Sequence, residues 1–205
     1  MHTFLSLPAL RRWLLLLSIA PMLGLAGCGA MLAQNPNSPL KPVRAVALGD
    51  DAHVMLDGHD VVAYFTLGRH AMGTPQFKTV HQGVTFYFAS AEHKALFDKE
   101  PARYIPQYGG FCANGINYAI PWGGDADIWR IYDGKLYIFG GAGSRAAFEL
   151  DRAGNLALAD NYWREEVAGS NSFWQRSKRL VFRVPHYKTG AELDRMVQEA
   201  AARKP

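Results

Sequence analysis

The residues from Thr85 to Cys112, TFYFASAEHKALFDKEPARYIPQYGGFC, decide the fold that this chain is expected to adopt. The first residues of this stretch alternate with the period of a half-buried strand. Ser90 stands where a helix N-cap is preferred, and Pro101 ends the helical pattern. The Gly109-Gly110 pair then predicts a tight turn that leads to Cys112. The stretch therefore predicts a strand, a helix and a loop that carries a thiol.

Two hairpin signals flank this stretch. Gln82-Gly83 precedes it, and Asp133-Gly134 follows it between two apolar runs. Two-residue connections that end in glycine favour tight β-hairpins. Residues Phe111–Ile120 are expected to be extended. The predicted fold class is α+β, with β-hairpins, short packed helices and a helical C-terminal extension. The helices predicted after the second hairpin are Ser144–Leu150, Gly154–Val167 and Ala191–Arg203.

The N-terminal segment has the pattern of an export signal. Arg11 and Arg12 precede the apolar run Trp13–Leu25, which is too short and too interrupted for a comfortable membrane span. The run ends in Leu25-Ala26-Gly27-Cys28, which resembles the lipobox of bacterial lipoproteins. The resemblance implies cleavage before Cys28 and lipidation of its thiol, because a thiolate is a suitable nucleophile. An ordinary signal peptide with a chance cysteine is the alternative.

Lipidation at Cys28 implies both a partner and a location. The partner is a membrane, which several acyl chains hold stably. The expected location is the bacterial cell envelope, with the domain facing the periplasm. Gly29 stands where an aspartate would signal retention, which favours the outer membrane by analogy with bacterial sorting rules. A protein partner in the envelope is a further expectation.

Composition supports a folded domain and argues against nucleic-acid binding. Of the 205 residues, 49% are hydrophobic, which is enough for a real core. The formal charge is +4, but loss of Arg11 and Arg12 with the signal lowers it to about +2. The predicted organisation is a lipoprotein signal peptide at 1–27, a tether at 28–42, a domain at 43–168 and a basic, partly helical extension at 169–205.

Five segments of the chain resemble YHS-domain proteins. One is Phe86–Ser90, FYFAS, followed by a predicted helix that ends in Phe97 and Pro101. Asp57–Phe65, DGHDVVAYF, is similar to the G-Y-D-P-V-A-Y-F opening of that family, and Arg103–Ala113, RYIPQYGGFCA, is similar to its Y-x-P-Q-Y-G-G-Y-C-A segment. Asp133–Tyr137 resembles its D-G-K-L-Y hairpin, and Asn161–Trp163 its closing N-W element. The resemblance implies a small α+β domain related to metal-handling modules, without catalytic activity.

Two departures from the family pattern bear on the metal expectation. His59 stands where the family has tyrosine, and Val61 where it has proline. If Cys28 is lipidated, Cys112 is the one thiol left, so neither an intrachain disulfide nor a four-cysteine zinc site can form.

Histidines are dense in the first half of the predicted domain. Five of them lie within a 41-residue window, and imidazoles with a thiolate are suitable ligands for copper or zinc ions. The candidate metal ligands are Cys112, His93 and His59. One alternative is that His93 is solvated and Cys112 is a small buried side chain. Another is that Cys112 is a nucleophile with the Gly109 and Gly110 amides as donors. The window contains His53, His59, His70, His81 and His93.

The function expected from these observations is that of a membrane-anchored envelope domain that binds or senses a transition metal or another small ligand without turnover. The alternatives are a structural or interaction lipoprotein without a ligand site, and a thiol enzyme that uses Cys112. Basic residues from Arg176 to Arg183 suggest contact with anionic headgroups or a partner. Acidic residues of the final helix dilute this charge and favour a solvated face.

Overall fold

A four-stranded sheet in the order β1-β2-β4-β3 lies at the N-terminal side of residues 44–203, the part that this computed structural model describes. The predicted signal, Cys28 and the tether lie outside the described residues. Two antiparallel hairpins build the sheet, and β2 runs parallel to β4. Gln82 and Gly83 have φ of 51° and 77°, which confirms the predicted tight turn. The strands are β1 (Ala45–Leu48), β2 (Asp51–Met55), β3 (Thr74–His81) and β4 (Val84–Phe88).

A second hairpin pairs β5 (Asp125–Tyr132) with β6 (Lys135–Phe139). Asp133 and Gly134 connect the two strands with φ of 50° and 73°, as the sequence predicts. The side chains of β6 alternate between two clusters of buried residues in the described chain, because neighbouring strand residues point to opposite faces. Leu136 and Ile138 join the cluster under the first sheet, and Tyr137 and Phe139 join the cluster under the later helices.

Short helices pack around the two sheets and confirm the α+β class. Ser90 caps the helix after β4, because its Oγ accepts the backbone N–H of His93 at 3.2 Å. The α-helices of residues 44–203 are α1 (Ala63–Thr66), α2 (Ala91–Lys99), α3 (Pro101–Tyr104), α4 (Ala113–Ile116), α5 (Ala142–Glu149), α6 (Arg152–Tyr162), α7 (Ser172–Val181) and α8 (Gly190–Ala202). None of them is both long and apolar enough to span a bilayer.

The prediction that Phe111–Ile120 is extended is wrong. The segment contains the helix α4 and then a tight reversal at Ala119, where φ is 57°. The backbone N–H of Ile120 returns to the carbonyl of Gly115 at 2.9 Å. Phe111, Ile116 and Ile120 are all buried. Burial from several directions overrides the local pattern.

The C-terminal extension packs against the second cluster of buried residues. Val184 is 4% exposed and belongs to that cluster, and Tyr187 and Leu193 pack against it. Gln175 donates its side-chain N–H to the carbonyl of Ala119 at 3.0 Å. The α8 helix starts with a capping box between Thr189 and Glu192. The extension therefore contributes to the tertiary structure that surrounds Cys112.

Candidate functional site

His93, a predicted metal ligand, is already engaged by two protein side chains. Its Nδ1 lies 2.6 Å from Oδ2 of Asp60, and its Nε2 lies 2.9 Å from Oγ1 of Thr66. Asp60 is fully buried and also accepts backbone N–H groups from Val62 and Ala89. Both ring nitrogens of His93 therefore have partners in the fold.

His59, the second predicted ligand, lies in a different place. Its Nδ1 is 2.9 Å from the carbonyl oxygen of Leu56, and its ring centroid is 5.7 Å from that of His70. Met72 pairs directly with His59 in an isolated antiparallel bridge. The structure thus groups His59 with His70 and Met72.

Cys112, the third predicted ligand, is 3% exposed and is the N-cap residue of α4. Its Sγ is 3.2 Å from Oγ of Ser144 in the first turn of α5, and its backbone N–H donates to the carbonyl of Trp122. Among residues 44–203, no three or more histidine, cysteine, aspartate or glutamate side chains come together to hold a metal ion. Cys112, His93 and His59 therefore do not form the predicted metal-ligand set.

A cavity of about 360 Å³ opens beside Cys112. This volume lies within the usual range of small-molecule sites. Three separate segments form its walls: the start of α4 with the loop after it, the glycine-rich start of α5, and the segment before α8 with its first turn. The lining comprises the apolar or aromatic side chains of Tyr118, Trp122, Tyr187 and Leu193, the polar side chains of Cys112, Asn114, Ser144, Lys188 and Asp194, and the glycines 115, 123, 140, 143 and 190.

Gly140 has no side chain, and this lets the backbone at the end of β6 lie close to Gly123 and to the thiol of Cys112. A Cβ on Gly140 would lie 2.9 Å from the carbonyl oxygen of Gly123 and 3.6 Å from Sγ of Cys112. The first of these distances is too short for any side chain, so only glycine fits without a shift of the backbone. The end of β6 can therefore approach the Cys112 loop closely.

No family model, curated protein or solved structure matches this chain. The resemblance to YHS domains consequently rests on the sequence segments alone, and the site must be interpreted from its own chemistry.

The cavity is lined by two charged side chains of opposite sign, Lys188 and Asp194. Neither side chain forms a salt bridge in the described part of the chain, but Lys188 has the carboxylate of Glu192 as a charged neighbour. Tyr118 is 5% exposed, and burial, with Tyr187 and Glu192 nearby, raises the pKa of its phenol. Its ring meets that of Tyr187 edge to face at 5.3 Å. The cavity thus combines an aromatic wall with one cationic and one anionic side chain.

Sequence reasoning identified Cys112 but missed the residues that surround it. Ser144 ends the segment Gly140-Gly141-Ala142-Gly143-Ser144, which runs from the end of β6 into the first turn of α5. This glycine-rich connection was the one local signal for a close approach at that position. Lys188 and Asp194 carry no local signal, because the path of the C-terminal segment places them at the cavity.

Proposed function

We propose that this protein is a lipid-anchored, non-catalytic domain of the bacterial envelope that binds a small organic molecule in the cavity beside Cys112. The observation that carries the proposal is the cavity itself, with its aromatic wall and its two side chains of opposite charge. The lipobox at Cys28 supports the location, and the resemblance to YHS domains supports binding without turnover.

The lining indicates which chemical class of molecule fits. Tyr118, Trp122 and Tyr187 offer flat apolar surface, which suits an aromatic or aliphatic body. Lys188 attracts a carboxylate, and Asp194 attracts an amine. A small zwitterion or a singly charged molecule with an apolar body therefore suits this cavity.

The contacts of Cys112 favour binding over thiol catalysis. A nucleophilic cysteine needs a neighbouring base, usually an imidazole. In this fold the hydrogen-bond partner of Sγ is the hydroxyl of Ser144, and His93 is bound to Asp60 and Thr66. Cys112 therefore acts as part of the cavity wall in this proposal.

Three probes with a common body test the cavity and its charges. Thermal unfolding is followed with phenylalanine, phenylethylamine or phenylacetate, which are zwitterionic, cationic and anionic. A probe at one hundred times its Kd should stabilise the fold by about 2.7 kcal/mol. Lys188→Gln should weaken the acids selectively, and Asp194→Asn should weaken the amines.

A cavity-filling substitution provides the control. Gly143→Met places a side chain into the cavity from α5, whereas Ala201→Met adds the same side chain on the exposed end of α8. Binding should be lost in the first variant and kept in the second. Absence of any shift with all three probes, together with no small molecule in native mass spectra of protein isolated from the envelope, would refute the proposal.

The lipid anchor needs a separate test. Labelled palmitate should enter the wild-type chain and should not enter Cys28→Ser. Labelling of both chains, or of neither, contradicts the anchor without affecting the cavity experiment.

A second candidate function is binding of a soft metal ion by His59, His70 and Met72. The proximity of the two imidazoles favours it, and the bond from His59 Nδ1 to the carbonyl of Leu56 leaves Nε2 as the ligand atom. Two imidazoles and a thioether suit Cu(I). Titration with Cu(I) should give one equivalent bound, with loss in His59→Ala and His70→Ala but not in Cys112→Ser or His93→Ala. No uptake, or equal uptake by all variants, contradicts this candidate.

A further inference from the structure

The α7 helix has its polarity reversed relative to an ordinary surface helix. Its buried or half-buried side includes Ser172, Gln175, Arg176 and Arg179. Apart from the half-buried Phe173, the large apolar side chains of this helix and the residue after it face solvent instead. We call these residues the apolar face of α7: Trp174 is 69% exposed, Leu180 52%, Val181 73% and Phe182 69%.

Polar contacts fix this orientation of the helix. Gln175 donates to the carbonyl of Ala119, and Arg176 donates to the carbonyl of Pro121 at 2.7 Å. Arg179 pairs with Glu166, which also binds Lys178. Rotation of α7 to bury its apolar face would break these bonds and leave buried polar groups without partners. The protein therefore holds the apolar face towards solvent.

The segment that carries this face is positively charged. Residues 168–191 contain no aspartate or glutamate, and they contain five basic residues. Glu166 is the carboxylate that pairs with Lys178 and Arg179, so two cations share one negative charge. Arg183 is exposed directly after the apolar face and stacks on Tyr187 at 4.5 Å. The face therefore attracts a negatively charged partner.

We propose that the apolar face of α7 inserts into an anionic lipid surface, with Arg183 and Lys178 at the level of the headgroups. Tryptophan and phenylalanine beside basic residues are typical of helices that lie in a membrane interface. The inference goes beyond ligand binding in the cavity. It uses the proposed envelope location, which keeps the domain near a bilayer, but it does not depend on the lipid at Cys28.

The charge of this segment also argues against a second copy of the chain as the partner that covers the apolar face of α7. A symmetric dimer through this face would bring the same positive patch of each protomer together. Like charges at such short range oppose association. An anionic bilayer neutralises the patch and covers the apolar side chains at once.

Vesicle binding by the full chain with Cys28→Ser tests the inference. The probes are vesicles of phosphatidylcholine with and without phosphatidylglycerol, and bound protein is measured by sedimentation. All variants share the same N-terminal segment, so differences between them report on α7. Val181→Ser combined with Phe182→Ser should lower partitioning onto anionic vesicles at least about tenfold. Arg183→Gln should lower it about fivefold, and only on the anionic vesicles.

Val80→Ser is the matched control, because Val80 is 65% exposed on β3 and lies outside the α7 face. It should bind as the parent chain does. Trp174→Ser tests the face at an independent position, and unchanged urea midpoints show that the variants fold. Equal binding of all variants overturns the inference. Unchanged vesicle binding with loss of a cross-linked envelope protein also overturns it, in favour of a protein partner.

Discussion

The Nδ1 atom of His93 lies 2.6 Å from Oδ2 of Asp60, a carboxylate that is fully buried. Asp60 also accepts the backbone N–H groups of Val62 and Ala89, so it joins the start of α1 to the end of β4. His93 belongs to α2, which the same carboxylate thereby attaches to the first sheet. The histidine that looked like a metal ligand in the sequence is thus part of the network that holds the N-terminal half together.

Asp60→Asn should lower the free energy of unfolding by about 3–5 kcal/mol, because it removes a buried charge and leaves one acceptor oxygen where the carboxylate uses two. Urea unfolding measures the change. Asp98→Asn is the matched control, because Asp98 is bound by Lys94 and Thr79 at the surface and should cost less than about 1 kcal/mol. Equal losses in both variants would contradict a structural role for the Asp60 network.

Acidification should weaken the attachment of α7 through Glu166. Burial raises the pKa of Glu166, but hydrogen bonds from Lys178, Gln175 and Arg179 outweigh this effect and leave the pKa below its usual value of 4.5. The ionised form is therefore favoured by folding. Its contribution to stability is fully present above pH 4.5 and is lost as the pH falls through the lowered value.

Glu166→Gln isolates this contribution from those of other carboxylates. The variant should be less stable than the parent at pH 7, and the difference between them should shrink as the pH falls below 4.5. Thermal unfolding at several pH values, followed by circular dichroism, measures it. A difference that stays constant down to pH 3 would show that ionisation of Glu166 does not hold α7 in place.

The Cys112 thiol should react slowly with iodoacetamide in the folded protein, because the side chain is 3% exposed. Mass spectrometry of the Cys28→Ser chain follows the modification of this single thiol. Labelling should become fast in urea, where the cavity wall is lost. A cavity probe should slow labelling further under folding conditions, and fast labelling of the native chain would contradict burial beside Ser144.

Gly140→Ala should destabilise the fold by about 1–3 kcal/mol, because the added Cβ overpacks the contact with Gly123. Gly143→Ala is the comparison within the same segment. A Cβ there would meet the exposed carboxylate of Asp194 at 3.3 Å, and that side chain can move away. The second variant should be neutral or gain up to about 1 kcal/mol from helix propensity. Thermal unfolding that ranks the two variants in the opposite order would refute the close approach at Gly140.

Local signals were enough for the elements that depend on neighbouring residues. The turns at Gln82-Gly83 and Asp133-Gly134, and the cap at Ser90, each need particular residue types within two to four positions. The segment Phe111–Ile120 was predicted wrongly because its conformation depends on burial by distant elements. The apolar pattern of these ten residues does not predict which distant elements pack against each side chain.

The sequence by itself determined the α+β class, the two glycine-based hairpins and the presence of one thiol in the loop after Gly109-Gly110. Only the tertiary structure decided the neighbours of each candidate residue: Asp60 for His93, His70 for His59, and Ser144 for Cys112. The physical reason is that turns and caps are formed by adjacent residues, whereas side-chain partners meet when separate elements pack. Here β6 lies between two clusters of buried residues, and this packing places Cys112 at a cavity whose lining includes neither His59 nor His93.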